Sequence, residues 1–597
     1  MKFRRPIRLG LLRLSILAVL VGIITGFGAV LFRALIGLIH NVAFLGLFSA
    51  AYDSSAFTPP SPWRAFIILV PVIGGLIVTF LITNFAPEAR GHGVPEVMDA
   101  IYYRDGVIRP VVALIKSLAS ALSIGTGAAV GREGPIIQIG AALGSTFGQF
   151  VRMAPWQRIT LVAAGAGAGI AATFNTPIGG VMFAIELMMP ELSARTFLPV
   201  ALATGTATFV GRIFLGTHPA FAIPNALLAS TAPATLTALL LYALLGGLIG
   251  VAAAGFIRTL SFSEDIFERI KNPYLRNATG MLMIGVPIYA LLIAAGHYYV
   301  EGVGYSTVQA ILNGDLGLPT LLIVLFVAKL AATSVSLGAG ASGGIFSPSL
   351  FMGATIGGAF GLLVNTVMPM AGFGVTTCAI IGMAAMVGGG TGAAMTAVTM
   401  IFEMTRDYDL VMPSIIAVAL AIGVRRLLSV ENIYTVKLVG RGHFVPKALH
   451  ANMFLVRRAR EVMQKDVTIL TADADFDAFL RDNADKGGFR HVVVIRGNHI
   501  AGVVRVNTSL RRGVEQAYSG VRLGDVAQRN FTIAREADIM FDVVQRMSRH
   551  DAAMAVVVKG DGRGRPNEIL GIISKEHIAD SVAESIKPFG SQQAKTR

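Results

Sequence analysis

The stretch SIGTGAAVGREGP, residues 123–135, interrupts an apolar region with glycines and small polar residues, and it returns 213 positions later as SLGAGASGGIFSP, residues 336–348. Around it, Lys116, Ser123, Gly125, Gly127, Ala128, Gly131 and Pro135 recur as Lys329, Ser336, Gly338, Gly340, Ala341, Gly344 and Pro348. Gly140, Ala141, Gly144, Phe147 and Gly148 recur at the same spacing as Gly353, Ala354, Gly357, Phe360 and Gly361. Twelve coincidences at one offset mark a duplicated unit. Further on, Gly165, Ala168 and Glu186 match Gly382, Ala385 and Glu403 at an offset of 217, as a four-residue difference in loop length would produce.

The duplicated unit lies in a chain too apolar for a soluble domain. Apolar residues make up 54% and charged residues only 14%, where a soluble protein approaches a quarter. Uncharged runs cover 14–32, 65–85, 219–257 and 277–296, and residues 330–402 contain no Asp, Glu, Lys, Arg or His. A simple spanning helix takes about 20 residues, so the last run must hold several short or re-entrant pieces. The fold expected is an all-α polytopic membrane domain over 1–445. Its repeat halves would be about 10–215 and 230–440, inverted by analogy with other broken-helix transporters.

Lys2, Arg4, Arg5, Arg8 and Arg13 precede the first apolar run without an acid among them, which predicts a cytoplasmic N-terminus on a multi-pass protein of the cytoplasmic (inner) membrane. The net charge of +15 is spread over the N-terminal segment, the loops and the C-terminal region. That distribution suits membrane orientation and anionic headgroups, and it argues against nucleic acid as a partner. The single cysteine, Cys378, permits neither an intrachain disulfide nor a zinc cluster. No metal site and no enzymatic activity are expected.

Irregular backbone inside a bilayer is tolerated only where it is buried or lines a cavity, and paired breaks in two repeats point to a solute site near the midplane. Glycine breaks that open helices offer unpaired N–H groups and a positive helix end, which suits an anion without requiring a basic side chain. GHGVP, residues 91–95, is a third break of this kind. Within GREGP the acid Glu133 sits among glycines, whereas the second copy, GGIFSP, carries no charge. An intramembrane carboxylate is costly and by default functional.

These residues resemble the CLC family of chloride channels and chloride/proton antiporters over roughly residues 10–440. The family's motifs GxGxP, G(R/K)EGP and GxFxP are matched in order by GHGVP, GREGP and GIFSP, the last at 344–348. The resemblance implies that Glu133 is the gating glutamate, whose carboxylate competes with the anion and leaves when protonated or displaced. It implies that backbone amides of Ile345 and Phe346, with those of Arg132 and Gly134 around Glu133, face the anion. It also implies that the Tyr434 hydroxyl helps bind the central anion, that chloride or another small anion is the substrate, and that a homodimer carries one pathway per subunit.

The chain departs from the family pattern twice. His92 stands where a serine is usual, so an imidazole replaces a hydroxyl donor to the anion. In FAIELMMPE, Glu186 matches the first of two adjacent family glutamates, and Leu187 occupies the position where antiporters usually carry an inner proton-accepting glutamate. Leucine carries no proton. On that ground the expectation is a passive voltage- or pH-gated chloride channel, with a chloride/proton antiporter as the alternative. A membrane-anchored nucleotide sensor is a third reading, disfavoured because an anchor needs no paired glycine breaks. Glu186 and its mate Glu403 read as structural acids near helix ends.

Beyond about residue 445 the composition turns polar and strands alternate with amphipathic helices, which predicts a separate α+β domain over 446–590. Val462, Gln464, Thr468 and Ile469 recur as Val526, Gln528, Thr532 and Ile533, and Ala472, Asp473 and Phe476 recur as Ala537, Asp538 and Phe541. The units, about 458–513 and 521–583, resemble a pair of CBS domains. Such pairs commonly bind adenine nucleotides through a Thr or Ser followed by an Asp. Here GIISKEHI supplies Ser574 with His577 in place of the Asp, and GVVRVNTS supplies Arg505 and Thr508. The better expectation is a structural, dimerising role, with an adenine nucleotide the only cofactor suggested and none required.

Overall fold

The computed structural model describes residues 7–217, 219–223, 236–368, 373–445, 453–476, 478–479, 490–506, 520–560 and 565–579. Thr508 lies outside them. The chain divides into two compact units, Met1–Val445 and Pro446–Arg597.

The first unit is helical, and its two halves match element for element. The first half holds α1 (Leu11–His40), α2 (Val70–Phe85), α3 (Val94–Tyr103), α4 (Val111–Gly125), α5 (Glu133–Phe150), α6 (Pro155–Phe174), α7 (Pro177–Phe183) and α8 (Ala194–Leu215). The second holds α9 (Leu236–Glu268), α10 (Pro273–Ala295), α11 (Tyr305–Leu312), α12 (Pro319–Ala339), α13 (Phe346–Val367), α14 (Val375–Thr391), α15 (Ala394–Thr405) and α16 (Val411–Leu428), and a short α17 (Thr435–Gly440) follows. Among the described residues eight helices are long and apolar enough to cross a membrane. Helices α3 and α11, of 10 and 8 residues, are too short to do so.

Side chains from each half complete the backbone of the other. Ser123 Oγ accepts from Ser342 N at 3.1 Å, and its repeat mate Ser336 Oγ accepts from Ala129 N at 3.1 Å. Gly131 and its mate Gly344 exchange both backbone hydrogen bonds, at 2.7 and 2.6 Å. Glu186, just beyond the C-terminal end of α7, accepts from the amides of Met395 (2.9 Å) and Thr396 (2.7 Å) in the first turn of α15. Glu403, in the last turn of α15, accepts from Ile178 N (3.0 Å) and Gly179 N (2.7 Å) in the first turn of α7. The mates α7 and α15 therefore lie side by side and run in opposite directions. Repeat mates that run antiparallel to each other are what an inverted repeat gives. Both glutamates act as helix caps, as the sequence suggested.

The duplicated glycines sit where helices touch. A methyl group on Gly140 would strike the carbonyl of Gly165 and one on Gly165 that of Gly140, and the same holds for Gly353 and Gly382. These close approaches join α5 to α6 and α13 to α14, the small-residue packing expected where lipid supplies no hydrophobic drive. Every residue of α14 from Thr376 to Thr391 is buried.

The second unit contains two sheets of identical topology. In the first, β1 (Thr468–Thr471) pairs parallel with β2 (Arg490–Arg496), which pairs antiparallel with β3 (His499–Val506). In the second, β4 (Phe531–Arg535), β5 (Met554–Val558) and β6 (Ile569–Ser574) repeat that order. The copies are interlocked. Gln464, ahead of the first sheet, pairs with Ile572 of the second, while its mate Gln528 pairs with Val503 of the first. Val493 and Val503 share a core with Val556, Val558 and Ile572, which explains the unbroken valine runs in β2 and β5.

Candidate functional site

Each break places a helix start at one point in the interior. Gly93 (φ +82°) precedes α3 and Gly127 (φ +100°) lies ahead of α5, in backbone regions that side chains disfavour. Glu133 opens α5 and Phe346 opens α13. A methyl group on Gly134 would strike the carbonyl of His92 and stand 2.9 Å from Gly344 Cα, so GHGVP, GREGP and GIFSP meet there in backbone contact. Two fully buried lysines tie these breaks down. Lys116 Nζ donates to the carbonyls of Ala89 (2.9 Å) and Gly91 (2.7 Å), and its mate Lys329 Nζ donates to those of Val300 (2.9 Å) and Gly302 (2.8 Å).

The second lysine reveals a fourth break that the motif reading missed. Gly302-Val303-Gly304-Tyr305 occupies in the second half the place of Gly91-His92-Gly93-Val94, with Gly304 at φ +78° and α11 starting at Tyr305. Extending the repeat upstream of Lys329 would have found it, at an offset of 211 instead of 213.

Glu133 is fully buried, and this fourth break helps to hold it. The Tyr305 hydroxyl donates to Oε1. Ser347 donates to Oε2 from its hydroxyl (2.5 Å) and its backbone N–H (3.2 Å), and the Ser347 hydroxyl lies 3.0 Å from that of Tyr305. Arg132 Nε stands 4.0 Å from Oε1 and is otherwise buried without a partner among the described residues, its guanidinium 5.0 Å above the Tyr305 ring. Phe174 packs on Phe346 (5.5 Å between ring centroids), and Phe221 packs edge-on against Tyr305 (5.2 Å). The carboxylate is thus held by hydroxyls and an amide, with its nearest cation beyond hydrogen-bonding distance.

On the other side of the Gly134 contact lie His92 and Tyr434, 2% and 1% exposed. Their rings are 5.9 Å apart, and His92 Nδ1 is buried with no hydrogen-bond partner among the described residues. Tyr434 stands immediately before α17, and the Asn432 side chain accepts from its amide at 2.9 Å. Ile345 and Phe346 are buried at the start of α13. Leu187 is buried in the wider π-type turn Ala184–Met188 that continues α7. In the second unit, Ser574 and His577 are engaged with each other: Ser574 N donates to His577 Nδ1 and His577 N to Ser574 Oγ, both at 3.3 Å. Arg505 lies on β3, paired in register with His491. No cluster of metal-ligating side chains occurs among the described residues.

An inverted-repeat membrane domain whose helix starts converge on a buried carboxylate, an imidazole and a phenol is built to handle a small anion and defines a membrane transporter. A family profile described as voltage gated chloride channel matches residues 74–426, and one described as CBS domain matches residues 523–584. The chain is 33% identical over 440 residues to the H+/Cl− exchange transporter ClcA of Vibrio cholerae, covering 70% of this chain and 87% of that one. It is 34% identical over 361 residues to a protein of Ralstonia nicotianae named provisionally as a ClcB-like chloride channel protein, covering 60% and 81%. Among solved structures, a slow cyanobacterial Cl−/H+ antiporter matches 72% of this chain and 98% of its own, with a TM-score of 0.62 at 26% identity. The chain belongs to the CLC family of chloride channels and antiporters, with a C-terminal CBS pair, and it transports anions across a membrane.

Proposed function

We propose that the protein exchanges chloride for protons, with Glu133 carrying the proton and vacating the outer anion position, and with His92, Arg132, Gly134, Ile345, Phe346 and Tyr434 around the anion. The observation that carries this reading is the seat of Glu133. A fully buried carboxylate held by the Tyr305 and Ser347 hydroxyls, with no cation in hydrogen-bonding contact among the described residues, has acceptor sites that a proton can take over. Relatives named for exchange support the same reading. It revises the expectation of a passive channel, which rested on Leu187. That channel remains the second reading, and Leu187 is the observation that favours it; under exchange, the inner proton route bypasses position 187.

The test is to impose a chloride gradient across vesicles reconstituted with the protein and to record proton movement. Exchange drives protons uphill at a fixed ratio to chloride; chloride flux with no uphill proton movement would return the channel reading. We further propose a homodimer with one pathway per chain in a cytoplasmic membrane, the basic N-terminal segment and the CBS pair facing the cytoplasm. We assign the CBS pair a dimerising role in preference to a nucleotide site; the Ser574 hydroxyl oxygen already accepts from His577 N, in the position where a nucleotide site would carry an Asp. Measurable binding of adenine nucleotide to the purified protein would overturn that assignment.

A further inference from the structure

Below His92 and Tyr434 a water-accessible mouth of about 540 Å³ is lined by Arg90, Glu96, Glu264, Glu268, Lys437 and Arg441. It contains three cations, and they differ in what they are free to do. Arg441 gives Glu96 two hydrogen bonds, at 2.5 and 3.1 Å, and that bond raises its guanidinium above the ordinary value. Arg90 stands 3.9 Å from Glu268, a carboxylate 64% exposed at the rim. Lys437 Nζ stands 3.7 Å from Glu264 Oε1, within range of charge attraction and beyond a hydrogen bond. Its three N–H donors have no acceptor among the described residues.

Lys437 also joins the mouth to the His92–Tyr434 site. It lies one turn beyond Tyr434 along α17, so the two side chains share a face. Its Nζ is 3.0 Å from where a methyl group on Gly91 would be, which sets the ammonium beside the backbone that carries His92. Both Lys437 and Glu264 are about a quarter exposed, at 22% and 24%, so water and small ions reach them.

We propose that Lys437 is the residue that takes the anion from this mouth and passes it to the His92–Tyr434 position, and that Glu264 is the resident counter-ion which the arriving anion displaces. An anion and the Glu264 carboxylate compete for one ammonium whose donors are unspent. The long Lys437–Glu264 separation keeps the pair weak enough to be exchanged, whereas the bidentate Arg441–Glu96 pair is not. The mouth then has its own competing carboxylate, as the far side has Glu133. The inference rests on anion transport through the site and not on whether protons are exchanged.

The test is the half-saturating chloride concentration for transport, measured in planar bilayers with chloride varied on one face at a time. Lys437→Met is expected to raise it about three- to tenfold on one face and leave the other unchanged, the size of effect a partly exposed charge gives. Lys437→Arg should stay near wild type. Glu264→Gln should lower it on the same face, because the ammonium loses its competitor. A shift in the same direction in Lys437→Met and Glu264→Gln would make the pair merely structural and overturn the proposal, as would no shift in Lys437→Met. If Lys437→Met does not fold, Glu264→Gln decides alone, and an unchanged or raised value overturns it.

Discussion

Replacing Tyr305 by Phe removes a single oxygen from the seat of Glu133. The ring stays, still packed against Phe221 and under the Arg132 guanidinium, so the change isolates the hydrogen bond to Oε1. A hydrogen bond to an ionised group contributes about 1.5–3 kcal/mol, which is about 10- to 150-fold in the equilibrium between seated and displaced carboxylate. Ser347 retains its two bonds to Oε2, so the seat weakens without vanishing. Because the anion competes with the carboxylate, a weaker seat means tighter apparent chloride binding, up to that same factor while the seated form dominates. Calorimetric titration of the purified protein with chloride reads this directly. Tyr305→Phe should bind chloride more tightly, and in a Glu133→Ala background the same substitution should have no further effect, since the competitor is gone. Unchanged or weaker binding in the single variant, or an equal effect in the absence of Glu133, would refute the idea that Tyr305 acts by holding that carboxylate.

Glu133→Gln should leave chloride flux present and flatten its dependence on external pH, because the amide mimics the protonated acid permanently; flux as steeply pH-dependent as wild type would remove Glu133 from the gate. Tyr434→Phe should weaken chloride binding by about 0.5–1.5 kcal/mol, the worth of one neutral hydrogen bond, and an unchanged affinity by calorimetry would show that its hydroxyl points elsewhere. Glu186→Ala and Glu403→Ala should each lower thermal stability by the equivalent of about 0.5–2 kcal/mol, as for a lost helix cap, and by similar amounts because the two caps are reciprocal. A melting curve unchanged in both would mean that the amides at the starts of α7 and α15 find other partners.

The duplication, the membrane setting, the position of Glu133 in a break and the second, α+β unit were all legible in the sequence. Each follows from a local constraint that residue type records. Gly93 and Gly127 hold positive φ, Gly140 and Gly353 lie where a side chain would strike a carbonyl, and long uncharged runs must leave water. Leu187 favoured a channel, whereas relatives named for exchange favour the antiporter alternative; the absence of an acid at one position says nothing about other routes for a proton. What holds the Glu133 carboxylate was not legible. Tyr305 and Ser347 lie 172 and 214 residues away in a half whose breaks carry no charge, and a tyrosine at a helix start reads as packing until its partner is known. The same is true of Glu186 and Glu403, whose targets lie in the opposite half. Sequence alone determined where the backbone must break and that it breaks twice over. Only the tertiary structure decided which donors face which acceptors, because the two-fold packing of the halves brings the starts of α7, α13 and α15 to side chains supplied by the opposite half.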